Sequence, residues 1–109
     1  MAVITFANTK GGAGKTTAAL LLATELLHRN HRDCVLDTDP QRRFSRWQEG
    51  APLSPRLSVE TYVSAATIQK IVHERRQEWD YVIIDLPGIQ SPLLASAVGL
   101  SDHVIVPIQ

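Results

Sequence analysis

Cysteine is nearly absent from this chain: Cys34 stands alone among 109 residues. An internal disulfide framework and a multi-cysteine metal site are therefore excluded, and the usage suits a reducing compartment. Long apolar runs are missing too. The stretch from Ala2 to Ala7 is the most apolar near the start. It falls far short of the ~18 residues of a membrane span, and no basic leader precedes it. Neither a secretory leader nor stable membrane insertion is expected. Charge of one sign is not in excess either, because 11 Lys+Arg balance 11 Asp+Glu. The overall field thus makes no case for nucleic acid or membrane. What remains is ordinary for a folded domain, with 44% apolar and 20% charged residues. A chain of this length fits one domain and buries roughly 65% of its unfolded surface, enough for a core without staples.

No repeat or low-complexity tract interrupts the pattern. Val3–Ala7 is a short apolar run ending in a glycine-rich turn, as a buried strand does. Thr16–Arg29 holds good helix formers, with Ala19, Leu20, Leu21, Ala23 and Leu27 predicting a broad apolar face and Asn30 a left-handed cap. Cys34–Asp37 reads as a second buried strand, and Leu57–Val63 alternates as an edge-like third. Ser64–Gln77 is expected to be helical through Ile68, Ile71 and Val72. Tyr81–Asp85 is a fourth strand ending on an acid. Ser91-Pro92 opens a helix that Gly99 should end, and His103–Val106 is a fifth strand. Gln48–Arg56, with Gly50, Pro52 and Pro55, reads as loop. Strands alternating with helices predict parallel βαβ units with right-handed crossovers, an α/β fold whose ligands bind beyond the carboxyl ends of the strands.

Between the first strand and the first helix lies Thr9-Lys10-Gly11-Gly12-Ala13-Gly14-Lys15-Thr16-Thr17. Glycines let backbone N–H groups close on a phosphate, and the helix N-terminus adds its positive dipole end. Lys15 is placed to reach β- and γ-phosphates, and the Thr16 hydroxyl to join a Mg²⁺ shell. The strict pattern G-x-x-x-x-G-K-[ST] fails at Thr9, and G-x-G-x-x-G fails at Thr17. Two of the chain's three lysines, Lys10 and Lys15, fall in this loop.

Lys10-Gly-Gly-Ala-Gly-Lys-Thr-Thr17 resembles the deviant Walker A motif, K-G-G-x-G-K-[ST], of the ParA/MinD family of P-loop ATPases. Val35-Leu-Asp-Thr-Asp-Pro-Gln41 and Tyr81–Asp85 continue the likeness in order, and it lies nearest the small ParA-type partition ATPases. The resemblance implies a P-loop NTPase fold: a mostly parallel sheet of five strands flanked by helices, with residues 1–109 as the N-terminal part of a longer nucleotide-binding domain. It implies ATP and Mg²⁺ as ligands. Gly11, Gly12, Ala13, Gly14, Lys15, Thr16 and Thr17 would hold the nucleotide, joined by Lys10, which reaches the partner's nucleotide across a dimer. Asp39 would orient the attacking water and count among the metal-site residues, Asp37 support the metal shell, and Asp85, as the Walker B acid, hold Mg²⁺ with Thr16. It further implies an ATP-state homodimer, non-specific DNA binding through regions outside this chain, a centromere-binding partner protein, and a cytoplasmic, nucleoid-associated location.

Departures and alternatives are visible as well. Leu86-Pro87-Gly88 lacks the family's usual pair of prolines, and Asp85-x-x-Gly88 resembles a GTPase switch. Asp39 followed by Pro40 also suits a helix cap. A MinD-like membrane cycle would need an amphipathic helix before Gln109, and a cluster-carrying reductase would need more than one cysteine. Arg42, Arg43 and Arg46 read as a solvated face, and Trp47 and Trp79 as packing residues. Cys34 reads as a small core residue. His28, His31, His73 and His103 lack metal-ligand spacing.

Overall fold

The computed structural model of the protein describes residues 2–7, 13–38, 45–46, 55–61, 63–86 and 93–106, with the backbone alone for residues 13–17. Its strands are β1 (Ala2–Phe6), β2 (Asp33–Asp37), β3 (Leu57–Glu60), β4 (Tyr81–Asp85) and β5 (His103–Ile105). Its helices are α1 (Ala13–His28), α2 (Ile68–Glu78) and α3 (Leu93–Leu100). All strand pairs are parallel, in the order β3-β2-β4-β1-β5. The chain first runs from β1 towards β3, then reverses to insert β4 and add β5. A right-handed crossover must change face when the direction of travel reverses. Accordingly α1 covers one face and α2 with α3 cover the other. This is the expected α/β architecture.

Because both faces are covered, the central strands are apolar at successive positions, and side chains alternate between two cores. Val3, Cys34, Leu36, Val82 and Ile84 point to α2 and α3, where they meet Ile68, Val72, Leu93 and Ala97. Ile4, Phe6, Val35 and Ile83 point to α1 and its Ala19, Ala23, Leu26 and Leu27. Truncating a side chain as enclosed as Ile84, 0% exposed, to alanine costs about 2–5 kcal/mol in transfer and cavity terms.

Helix α1 ends as its sequence foretells. Asn30 has φ 65°, and the Asn30 and His31 N–H groups donate to the Leu27 and Leu26 carbonyls at 3.0 and 2.9 Å. These two bonds form a Schellman closure, which satisfies carbonyls the helix leaves open. The apolar face of α1 is narrower than expected. Leu21 is 67% exposed, since a helix packed on one sheet buries a single stripe. Two further expectations shift. Gly99 lies inside α3, which runs on to Leu100. Strand β3 is an edge strand as read, but it stops at Glu60 rather than continuing to Val63. There the Glu60 carboxylate accepts two hydrogen bonds from Arg75 of α2, at 2.6 and 2.9 Å, and the Cys34 thiol donates to it at 3.4 Å. The Arg75 bonds hold the Glu60 carboxyl below its ordinary range. Burial, with the Glu60 charge second, pushes the Cys34 thiol far up. The chain's one thiol is thus an unreactive core group.

Candidate functional site

Two acids named by the sequence meet at one edge of the sheet. Asp37 and Asp85 end β2 and β4, are register partners, and are 1% and 0% exposed. Neighbouring parallel strands bring such partners to about 5 Å between backbones. Two residues before them, Val35 and Ile83 face α1. With a period of two, both carboxylates therefore lie on the α1 face. The Arg56 guanidinium donates to the Leu27 carbonyl at 3.3 Å beside the start of β3, which fixes the last turn of α1 at the amino edge of the sheet. The first turn, with Ala13, Gly14, Lys15, Thr16 and Thr17 in its backbone, consequently starts at the carboxyl edge. Acids, helix start and positive dipole end share one face and one edge.

Local bonds fix this edge. The Thr38 hydroxyl and N–H donate to the Asp85 carbonyl at 2.7 and 3.1 Å, tying β2 to β4. The Leu86 N–H donates to the Phe6 carbonyl at 3.0 Å, and the Ala7 N–H to Ile105 at 3.0 Å. Asp37 Oδ2 accepts from both the N–H and the hydroxyl of buried Ser45, at 3.1 and 2.9 Å. Thr38 and Ser45 are thereby each tied to one of the two strand-end acids. Sequence reasoning missed Ser45, because nothing local marks a serine eight positions on as the partner of a strand-end acid. Lys10, Gly11, Gly12 and Asp39 lie outside the described residues, as do Arg42, Arg43, Trp47, Pro87, Gly88, Ser91 and Pro92. Arg46 is exposed and Trp79 is half-buried against the α2 core, as read.

Among the described residues, no group of three His, Cys, Asp or Glu side chains converges as a protein-only metal cage. The two carboxylates of Asp37 and Asp85 instead offer hard oxygen donors at one edge. Mg²⁺ suits them, since that ion takes one or two carboxylates and completes its shell with substrate phosphates and water.

A third buried acid was not foreseen. Asp33 opens β2 at the opposite edge, 0% exposed. Neither of its carboxyl oxygens has a hydrogen-bond partner among the described residues. Burial first, then the charge of Asp80, push it up to about 7, with Arg56 pulling the other way.

A family model described as VirC1 protein matches residues 1–109. The chain is 32% identical to "Protein ParA" of Rhizobium radiobacter over 109 residues, 100% of this chain and 49% of that one. It is 31% identical to the chromosome-partitioning ATPase Soj of Thermus thermophilus, over 97% of this chain and 54% of that one. In fold it matches a plasmid partition protein of Borrelia burgdorferi B31 bound to AMPPNP, with TM-score 0.68 and 22% identity, across 98% of this chain and 62% of that one. The chain spans about half the length of these curated relatives. No helix among the described residues is long and apolar enough to cross a membrane.

Proposed function

The chain belongs to the VirC1/ParA family, and on that premise we propose that it carries the nucleotide site of a ParA-type partition ATPase. The observation that carries this reading is the pair of buried carboxylates, Asp37 and Asp85, on the face and edge where α1 begins. In this reading the N–H groups of Gly11–Thr17 cradle the phosphates of ATP, and Lys15 neutralises the β- and γ-phosphates. Thr16 and Asp85 hold Mg²⁺. Asp37, one of whose oxygens is engaged by Ser45, supports that shell from behind. The ion supplies neutralisation of the charge that spreads over the phosphate oxygens. Asp39 accepts a hydrogen bond from the attacking water and fixes its line, which is positioning rather than covalent work.

Lys10, five residues before Lys15, acts in trans on the nucleotide of a second copy, as an arginine finger does. ATP then favours a homodimer. The dimer binds DNA without sequence preference through parts of the family fold that this chain does not contain. A centromere-binding partner protein stimulates hydrolysis and release. The setting is cytoplasmic, on the nucleoid.

Complementation between two inactive variants of the whole protein tests the reading. Lys10→Ala and Asp39→Ala should each bind ATP yet hydrolyse it at least ~100-fold more slowly. A mixed dimer has one site with an intact Asp39 and a Lys10 delivered from the other chain. Hydrolysis should therefore return in the mixture. If the Lys10→Ala protein dimerises with ATP by light scattering and keeps its activity, the trans role is wrong.

A further inference from the structure

On the face opposite α1, helices α2 and α3 leave a groove of about 400 Å³ between them. Val72 and Leu100 make its apolar floor, and Lys70, His73 and Arg76 stand along its wall. The groove continues past Gln69 and Leu100 into a second hollow of about 240 Å³ beside Ser96 and Gly99. Among the described residues no carboxylate lines either part. The cations of α2 are sorted by side. Arg75 is held by Glu60 and also lies 3.7 Å from Glu74, whereas no ion pair among the described residues involves Lys70 or Arg76. Three basic side chains at positions 70, 73 and 76 follow helical spacing, so they fall in one row above an apolar trough.

We propose that this groove docks a segment of a partner protein that carries a large apolar side chain flanked by carboxylates. The trough takes the apolar group, and Lys70 and Arg76 select the acids beside it. Concavity favours a peptide over a nucleic acid duplex. A duplex is gripped by cations spread over a surface that follows its backbone, whereas a floored groove of this volume fits inserted side chains. The site lies on the face away from Asp37 and Asp85, so it stands independently of the nucleotide reading.

Panning a phage-displayed library of random peptides, each about 12 residues, on the full protein tests the proposal. Enriched peptides should carry two or more Asp or Glu beside a Leu, Phe or Trp. They should bind at least ~10-fold more weakly to Lys70→Glu/Arg76→Glu protein. Replacing their acids by lysine should restore binding to that variant and abolish binding to the wild type. Gly99→Trp gives a second variant that leaves the charges alone. A Cβ at Gly99 meets nothing within 4 Å, so the indole is free to fill the hollow, and the same peptides should lose at least ~10-fold in affinity. ATP affinity, followed in parallel, should not change in either variant. Enrichment without acids, or acidic peptides indifferent to both variants, overturns the proposal. So does a short DNA duplex that displaces the peptides and itself depends on Lys70 and Arg76, because the groove is then a nucleic-acid contact.

Discussion

Strand β2 begins and ends on an aspartate, Asp33 and Asp37, both buried, and the two carboxyls meet different surroundings. At the carboxyl edge, Asp37 accepts two hydrogen bonds from Ser45 and stands in register with Asp85 beside the start of a helix. At the amino edge, Asp33 lacks hydrogen-bond partners among the described residues, and burial with Asp80 nearby favours its neutral form. Burial alone therefore does not mark a candidate site acid. Supplied donors aim a carboxylate, whereas desolvation without donors favours the neutral form. The topology adds the second criterion, because ligands on a doubly wound sheet bind at the carboxyl edge, where the strand order reverses.

The comparison breaks most visibly in hydrolysis. Asp85→Asn in the whole protein should slow ATP turnover by about 10²–10³-fold, the scale of one lost electrostatic contact to the reacting phosphate. Asp33→Asn should leave it within about twofold. Steady-state phosphate release reads both, and equal losses would erase the distinction between the two edges.

A smaller effect isolates the donors. Ser45→Ala removes the hydroxyl that donates to Asp37 Oδ2 at 2.9 Å, and should cost about 1.5–3 kcal/mol in urea unfolding, as for a bond to a charged group. The smallest effect belongs to Asp33. Its folded carboxyl keeps a proton up to about pH 7, while the ordinary value is 3.8. Between those values the folded state binds more protons than the unfolded one. Stability contributed by this residue is thus highest at low pH, declines as pH rises, and levels off above about 7. Wild-type stability relative to Asp33→Asn should fall by about 1 kcal/mol between pH 6 and pH 8. A flat difference would mean that Asp33 is ionised after all.

Much of this was legible in the residues. β4 matches Tyr81–Asp85 end for end, because a strand enclosed on both faces leaves an unbroken apolar signal. Asn30 announced the end of α1, since few other residues accept φ 65°. The strand-end positions of Asp37 and Asp85 were legible because each closes an apolar run. Asp33 was not, because an acid after His31-Arg32 looks like the end of a loop. Its burial comes from its register partners Leu57 and Tyr81, which lie 24 and 48 residues away in sequence. Ser45 and the Glu60–Arg75 pair escaped for the same reason. Tertiary neighbours, not local pattern, decide where a polar side chain points.

The central claim is that the carboxyl edge, with Asp37, Asp85 and the start of α1, is a phosphate site. Titration of the whole protein with a fluorescent ATP analogue tests it, using wild type, Lys15→Ala and Asp33→Asn. Lys15→Ala should lose about 2–4 kcal/mol of binding free energy, the scale of truncating one partner of a buried charge pair, while Asp33→Asn binds as the wild type does. Near-normal affinity in Lys15→Ala protein would contradict the account and move the phosphate site away from this edge.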